Sequence, residues 1–278
     1  MVQTTPLKTN ILAKQPNNKE KTANGEGNNN KLNTDVDSQT ATVQPKTKTA
    51  EKEPIIELQN LDKFFKVGPN IVPVLKQINL KIYPGEFIIV LGPSGSGKST
   101  LLNSILGLEA PTSGRVLIRG VDITKKTPNQ MAKFRFEVFG IIFQRADWLK
   151  SLSVLDNITL PLAINNVSRK EREKIAWQGL KEVEMDRFAR YAPMELSGGQ
   201  QQKISLVRSL VNDPPILVAD EPTGNLDSIS AEKVMQIFKD LNEKDKKTIF
   251  MITHNIDYVR YASRTVYIRD GELVEGMA

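Results

Sequence analysis

The chain has 278 residues, of which 39% are hydrophobic and 25% are charged, and its formal net charge is +6 at pH 7. This is the balance of an ordinary soluble domain, and the mild positive charge fits an anionic ligand or a membrane surface as easily as nucleic acid. The chain contains no cysteine, which excludes disulfides and thiolate metal sites.

Residues 1–53 differ from the rest in being rich in Asn, Thr, Lys and Gln. Such a segment buries too little apolar surface to offset its ordering entropy, so it is predicted to be a disordered N-terminal extension. A nucleic-acid-binding arm is the alternative, disfavoured by acidic residues among the lysines and by the lack of aromatics. No signal-peptide run occurs, and the longest apolar run, near Phe87–Leu91, is far shorter than the ~20 residues of a membrane span. A cytoplasmic protein is expected.

From Ile55 onward the pattern is that of alternating strands and helices. The stretches "IIELQNL" and "VPVLKQINLKI" alternate like half-buried strands, whereas "EFIIVLG", "PILVAD" and "TIFMIT" are continuous apolar runs typical of buried strands. The helical pattern "SAEKVMQIFKDLNEK" separates the last two runs. This order predicts an α/β fold with a mainly parallel sheet, and the Asp-Gly pair in "YIRDGELVEG" predicts a hairpin near its end.

The stretch from about 127 to 194 has a different, mostly helical pattern. Its segment "SRKEREKIAWQGLKEVEM" has apolar residues at Ile175, Leu180 and Val183. We predict that 127–194 is a helical insertion into the sheet domain.

A phosphate-binding loop is predicted directly after the first buried strand. The run "GPSGSGKST", Gly92 to Thr100, fits the pattern G-x-x-x-x-G-K-[ST]. Its glycines let backbone N–H groups turn toward a phosphate, and the following helix directs its positive end at the same anion. Lys98 is expected to reach the β- and γ-phosphates, and the Ser99 hydroxyl to ligate Mg²⁺. A Gly/Ser-rich linker, the alternative, seldom lies between a buried strand and an amphipathic helix.

A second glycine motif, "LSGGQ", begins at Leu196 and precedes a helical pattern. On its own, Ser197-Gly198-Gly199 is interpretable as an ordinary helix N-cap with a loose turn. The functional alternative is a second anion site, which one phosphate loop does not need for itself. Such a site makes sense if it covers the γ-phosphate of a nucleotide held by another subunit.

Two adjacent acids, Asp220 and Glu221, end the buried strand "PILVAD". Carboxylates at a strand end are costly to desolvate unless a cation or a reaction needs them. In a phosphate-loop protein the first acid helps to hold Mg²⁺, and the second can then polarise the attacking water. An exposed acidic turn is the alternative.

His254, the single histidine, follows the next buried strand, "TIFMIT". It is either a partly buried packing residue or a hydrogen-bond partner of a reacting group. Because the carboxyl ends of parallel strands share the edge at which the phosphate loop starts, the second interpretation is favoured.

With these motifs in this order, the chain resembles the ATP-binding subunits of ABC transporters over about Ile55 to Met277. The resemblance implies a P-loop NTPase of ABC type, with a mainly parallel core sheet, an antiparallel β-subdomain and a helical subdomain at about 127–194. Residues 54–278 would form this nucleotide-binding domain. ATP and Mg²⁺ are the implied cofactors, and the enzyme would be an ATPase.

The resemblance also implies site residues. Glu221, His254, Lys98 and Gln144 would be catalytic, and Ser99, Gln144 and Asp220 would hold Mg²⁺. Phe65 would stack on adenine, where tyrosine is commoner, and Asp227 would lie in the loop that crosses between subunits. The implied ATP-binding set is Phe65, Gly92, Pro93, Ser94, Gly95, Ser96, Gly97, Lys98, Ser99, Thr100, Gln144, Ser197, Gly198, Gly199, Gln200, Asp227 and His254.

Within the family, "GIIFQRADWLKSLSVLDNITLPL" and "DEPTGNLDS" look most like the branch containing MacB, LolD and FtsE. The implied partners are a second copy or a homologous ATPase subunit, and an integral membrane permease on the cytoplasmic face of the cell membrane. The permease would dock near Gln144 and Trp148–Val154, for which core packing is the alternative role. No specific nucleic-acid partner is expected.

Other functions within the family stay open. The ATPase of an FtsEX-like complex would regulate division or the cell wall without transport. A soluble ABC ATPase acting on nucleic acid or ribosomes typically has two such domains or a long coiled coil, and neither is visible here. A non-hydrolytic scaffold is disfavoured by Glu221 and His254.

Overall fold

The computed structural model describes residues 53–274. The predicted extension over 1–53 therefore lies almost entirely outside the described residues and stays a prediction. No helix within the described range is long and apolar enough to cross a bilayer.

Strands and helices alternate along the described chain, as the sequence predicted. The strands are β1 (Ile56–Val67), β2 (Asn70–Ile82), β3 (Phe87–Leu91), β4 (Ser113–Ile118), β5 (Val121–Asp122), β6 (Phe139–Ile142), β7 (Ile216–Asp220), β8 (Thr248–Thr253), β9 (Arg264–Arg269) and β10 (Glu272–Val274). The α-helices are α1 (Lys98–Ile105), α2 (Pro128–Val138), α3 (Val154–Ile164), α4 (Arg169–Glu182), α5 (Gly198–Leu210) and α6 (Ser228–Glu243). Short 3-10 helices span Ile123–Lys125, Asp186–Phe188, Pro193–Glu195 and Ile256–Tyr261.

The strands form two sheets. The main sheet has six strands in the order β10-β9-β3-β8-β7-β6, with parallel pairing except in the β9–β10 hairpin. The second sheet has the order β2-β1-β4-β5 and is antiparallel. The predicted α/β fold, with its parallel core and antiparallel β-subdomain, is confirmed.

The main sheet lies between two apolar clusters because its central strands are buried on both faces. In β3, Ile88 and Val90 point into the cluster shared with the antiparallel sheet and α1, whereas Phe87 and Ile89 pack on the opposite side. Phe87 lies 6.4 Å, centroid to centroid, from Phe238 of α6. Continuous apolar runs are therefore needed here, since both alternating sets of side chains are covered.

The helical region differs from the prediction over 127–194. Residues 139–142, inside that range, form β6, which pairs in parallel with β7 at the edge of the main sheet, and α2 packs on the sheet cluster through Met131 and Val138. A separate apolar cluster unites α3, α4 and α5, including Ile158, Leu180 and Ile204. The sequence interpretation missed β6 because four residues, "FGII", are too short to show strand periodicity.

Candidate functional site

A cavity of about 680 Å³ opens where β3, β7 and β8 end at one edge of the main sheet. Its lining residues come from the loop after β3 and the start of α1, from the ends of β7 and β8, and from single positions on β2 and after β6. They are Val74, Ser94, Gly95, Gly97, Lys98, Ser99, Thr100, Gln144, Asp220, Glu221 and His254. Lys98, Gln144, Asp220, Glu221 and His254, predicted from separate motifs, are thus brought together.

Glycine is required at two positions of the phosphate loop for steric reasons. Gly97, at φ 105°, is the N-cap of α1, and a Cβ there would lie 2.7 Å from the carbonyl oxygen of Val74. A Cβ on Gly92 would lie 2.3 Å from the carbonyl oxygen of Ile268. The loop is therefore pressed against the strands behind it, and the first N–H groups of α1 are left at the cavity.

Lys98 is held by the loop that precedes it. Its Nζ donates hydrogen bonds of 2.8 Å each to the carbonyl oxygens of Gly92 and Pro93. Burial lowers the pKa of this ammonium, while the neighbouring Glu221 and Asp220 oppose that effect. A cation is thus fixed at the base of an open cavity, which is suited to an anionic ligand.

The two acids at the end of β7 differ in environment. Burial is the main cause that raises the pKa of Asp220, the charge of Glu221 adds to it, and Lys98 opposes it. Glu221 adopts φ 46°, in the left-handed region, and its N–H donates to the carbonyl oxygen of Ile252 at 3.0 Å. Such a conformation costs about 1–3 kcal/mol in a residue other than glycine, and the chain keeps it beside a cavity with clustered charges.

His254 contacts the second of these acids directly. Its Nδ1 lies 2.8 Å from Oε1 of Glu221, whose other oxygen accepts a 3.4 Å hydrogen bond from Oγ1 of Thr253. The His254 side chain is 68% exposed, which excludes the core-packing alternative. The imidazole therefore orients a carboxylate at the cavity and still has a second ring nitrogen to offer.

Mg²⁺ fits the donors of this cavity. Ser99, Asp220 and Gln144 bring hydroxyl, carboxylate and amide oxygens to its wall. Among residues 53–274 no cluster of three or more His, Cys, Asp and Glu side chains forms a metal cage. Mg²⁺ characteristically takes one or two protein oxygens together with water and substrate phosphates, so these donors suffice.

The LSGGQ residues are not in this cavity. Ser197 is the N-cap of α5 and accepts from the N–H of Gln200 at 3.4 Å, while its own N–H donates to Gln200 Oε1 at 2.9 Å. A Cβ on Gly198 would lie 3.3 Å from the carbonyl oxygen of Asn225, and one on Gly199 would lie 3.1 Å from Ser230 Oγ. We call residues 197–200 together with 225–230 the signature surface.

Asp227 belongs to the signature surface as the N-cap of α6. Its carboxylate accepts a 3.0 Å hydrogen bond from the N–H of Ser230, and hydrogen bonding to Ser230 lowers its pKa. Asp227 does not line the 680 Å³ cavity. Its predicted role between subunits stays a prediction.

Gln144 connects the two regions. It lines the 680 Å³ cavity and also a neighbouring cavity of about 430 Å³ that reaches Gly198 and Asn225. Asn225 Nδ2 donates to the carbonyl oxygen of Gln144 at 3.3 Å, and a Cβ on Gly224 would lie 2.7 Å from Gln144 Nε2. A shift of Gln144 would therefore change contacts in the 680 Å³ cavity and on the signature surface.

Some residues of the implied ATP set support the cavity without lining it. Gly92 and Pro93 are acceptors for Lys98, and Ser96 accepts at its carbonyl from Gly271 N–H at 3.2 Å. Phe65 is half-buried on β1, outside the cavity wall. Its predicted contact with adenine therefore stays a prediction.

Sequence reasoning missed Val74 and Thr253. The partner of β1 jumps from Leu75 opposite Lys63 to Pro73 opposite Phe64, so Val74 is the extra residue of a β-bulge and faces the cavity. Pro73 was the available signal, because proline within a strand is confined to edges and bulges.

The predicted permease dock contains one residue that cannot take part. Val154 is fully buried in the helical cluster, which corrects the prediction at that position. Trp148 is partly packed on the same cluster and donates from Nε1 to Gln201 Oε1 at 3.0 Å, whereas Leu149 is 48% exposed. Packing explains Val154, and Leu149 keeps a free apolar surface.

Comparison with known proteins agrees with this geometry. Residues 75–224 match the family model described as ABC transporter. The chain is 44% identical, over 79% of its length and 95% of the relative's, to the uncharacterized ABC transporter ATP-binding protein MJ0796 of Methanocaldococcus jannaschii. A dimeric structure of MJ0796 in a post-hydrolysis state with ADP and Pi matches 80% of this chain and 97% of that chain, at 43% identity and a TM-score of 0.75.

A second relative joins an ATP-binding part to a permease. The macrolide export ATP-binding/permease protein MacB of Haemophilus ducreyi is 40% identical over 82% of this chain, which spans 32% of MacB.

Proposed function

Since this chain belongs to the ABC transporter family and is an ATPase, we propose that two such cassettes close around two ATP·Mg and thereby drive a membrane protein. In this arrangement Lys98 of one cassette and Ser197–Gln200 of the other enclose each ATP.

One observation carries the proposal. Lys98, Asp220, Glu221 and His254 converge on one open cavity, while the exposed Ser197 and Gly198 lie outside it. A single chain therefore holds only part of the implied ATP site. The MJ0796 structures are described as dimeric, and in a dimer of this chain a second copy would supply the other part.

The phosphate loop binds the triphosphate. Backbone N–H groups from Ser94 to Thr100 and the N-terminus of α1 surround the phosphates, and Lys98 exchanges its carbonyl acceptors for β- and γ-phosphate oxygens. Ser99, Asp220 and Gln144 would hold Mg²⁺, which when bound would offset the negative charge that develops on the phosphates. Ring stacking on Phe65 orients the base.

Glu221 and His254 handle the attacking water. Glu221 accepts a proton from water as the water oxygen bonds to the γ-phosphorus and the β–γ P–O bond breaks, releasing ADP and phosphate. His254 holds Oε1 of Glu221 through Nδ1, and its other ring nitrogen is available to a γ-phosphate oxygen. The left-handed backbone of Glu221 keeps the carboxylate at the cavity.

The membrane partner is proposed to be a separate permease on the cytoplasmic face of the cell membrane. MJ0796 is matched over 95% of its length, so relatives of cassette size exist, and MacB combines both functions in one chain. Docking near Gln144 and the exposed Leu149 would couple the permease to the cavity. We propose that the ATPase and its membrane partner together export or extract a lipoprotein, a peptide or a drug.

Replacing Glu221 by Gln tests the chemistry. Glu221→Gln keeps a hydrogen-bond partner for His254 but cannot take a proton, so phosphate release should fall by about 10²–10⁴-fold. ATP should still bind, and the variant should accumulate as an ATP-bound dimer in size-exclusion chromatography with light scattering. Glu243→Gln, a surface carboxylate paired with Lys239, is the matched control and should behave as wild type.

Two results would reject parts of the proposal. Normal phosphate release by Glu221→Gln would remove Glu221 as the base. A strictly monomeric ATP-bound variant would reject the closed dimer, whatever the turnover.

A further inference from the structure

Lys63 lies against the ring that is proposed to stack on adenine. Its Nζ is 4.9 Å from the centroid of Phe65, a cation–π distance. The same Nζ donates a 2.7 Å hydrogen bond to the carbonyl oxygen of Ala110 and lies 3.3 Å from Oε1 of Glu109. The Lys63 side chain is only 14% exposed, so its geometry is set by these neighbours.

These contacts join the base platform to the helix of the phosphate loop. Glu109 and Ala110 closely follow α1, the helix that begins at Lys98, whereas Phe65 lies on β1 of the antiparallel sheet. The ammonium group of Lys63 thus contacts the segment that follows α1 and also lies over one face of the Phe65 ring. Under the proposed function, the base stacks on the opposite face of the ring.

The contact with Lys63 matters for the orientation of the ring because residue 65 is a phenylalanine. A tyrosine in its place has a hydroxyl through which hydrogen bonds can orient the ring, whereas a phenyl ring depends on the groups that contact its faces and edges. Phe65 is half-buried, near the bulge at Val74 that reaches the cavity. A ring fixed before binding loses less conformational entropy when a base stacks on it.

We propose that Lys63 is a positioning residue for the nucleotide base, holding the Phe65 ring so that its free face meets the adenine. The inference rests on the proposed function, in which Phe65 stacks on adenine. It assigns Lys63 no contact with phosphate, and it places the effect on base affinity alone.

The test compares two probes on the full chain by titration calorimetry: Mg²⁺ with AMP-PNP, which carries the base, and Mg²⁺ with inorganic tripolyphosphate, which lacks it. Lys63→Met keeps most of the apolar stem and removes the cation. It should weaken AMP-PNP binding about three- to tenfold and leave tripolyphosphate binding unchanged. Lys63→Arg should restore AMP-PNP affinity, because a guanidinium also stacks on aromatic rings.

Controls separate this role from a structural one. Lys66→Met, an exposed lysine of the same strand, should match wild type with both probes. Phe65→Ala should weaken AMP-PNP binding, and adding Lys63→Met to it should cause no further loss.

Three results overturn the inference. If Lys63→Met weakens both probes equally, the lysine is only structural; if it weakens neither, it does not position the ring. In both cases, weaker AMP-PNP binding by Phe65→Ala would still support Phe65 as the residue that stacks on the base. If Phe65→Ala binds AMP-PNP as wild type does, the stacking role of Phe65 fails, and the role of Lys63 fails with it.

Discussion

The 680 Å³ cavity and the signature surface are organised in opposite ways. In the cavity, Lys98 and Asp220 are desolvated and Glu221 has a left-handed backbone, so free energy is spent before any ligand arrives. On the signature surface, Ser197 and Asp227 cap their own helices and face solvent. The cavity is thus arranged for chemistry within one chain. On the signature surface the hydrogen bonds of the helix caps are already made within the chain, and the surface is open to contact by another molecule.

Gln144 is the point at which these regions meet. It lines both cavities and accepts a hydrogen bond from Asn225 of the signature surface. A change at the phosphates can therefore reach, through Gln144, both the signature surface proposed to meet the second cassette and the proposed permease dock beside Gln144.

After Glu221→Gln, the largest effect expected on the cavity side comes from His254→Ala. Losing the imidazole removes the 2.8 Å partner of Glu221 and the proposed donor to the γ-phosphate, so kcat should fall about 10²–10³-fold. ATP affinity should change less than about twofold, because Lys98 and the loop amides remain. Phosphate-release kinetics and calorimetry measure these values; an unchanged kcat would remove His254 from the site.

An intermediate effect is expected on the signature side, from Ser197→Ala. In the Glu221→Gln background, ATP-driven dimerisation should weaken about tenfold or more, since a hydrogen bond to a charged phosphate is lost. ATP affinity of the monomer should stay the same. Ser168, the N-cap of α4, provides the matched control, because either serine-to-alanine change removes a cap at a cost of about 1 kcal/mol.

Equal loss of dimerisation in the Ser168→Ala and Ser197→Ala variants would reduce the signature serine to a helix cap. Loss of monomer ATP binding in Ser197→Ala would instead place the signature surface in the same half-site as Lys98. Sedimentation velocity measures the dimerisation, and titration calorimetry measures ATP binding by the monomer.

The smallest effect concerns the contact between the helical region and the sheet domain. Burial raises the pKa of Glu182 on α4 to about 7, with a hydrogen bond from Gln178 opposing and the charge of Asp245 adding to the shift. The folded chain therefore binds more protons at this site than the unfolded chain between pH about 4.5 and 7, and the site's contribution to stability falls as pH rises through that window.

Glu182→Gln should remove this dependence. The variant should gain about 1 kcal/mol over wild type above pH 7, after allowance for solvent screening, and show little gain near pH 5. Urea unfolding at pH 5 and pH 8 measures the difference, with the exposed Glu184→Gln as control. A gain independent of pH would contradict the assignment.

Most of the fold could be predicted because its signals are local. Buried runs such as "PILVAD" and the Asp-Gly hairpin need only side-chain periodicity and turn chemistry, and both are confirmed. The strand β6 could not be found in this way, since its four residues become a strand by pairing with β7. Val154 was misassigned for a similar reason: its burial depends on which helices pack around it.

Sequence patterns were enough to predict the loop of Gly92–Thr100, the acids at the end of β7 and the position of His254 one strand later, because parallel strands must bring their carboxyl ends to one edge. The folded structure was needed to show that Nδ1 of His254 contacts Glu221, that a bulge turns Val74 into the cavity and that Lys63 lies over the Phe65 ring. Two of these features join segments that are far apart in the chain, and the third depends on Glu109 and Ala110, which hold the head of Lys63 over a ring on its own strand. Long-range packing sets such distances, and no local pattern contains them.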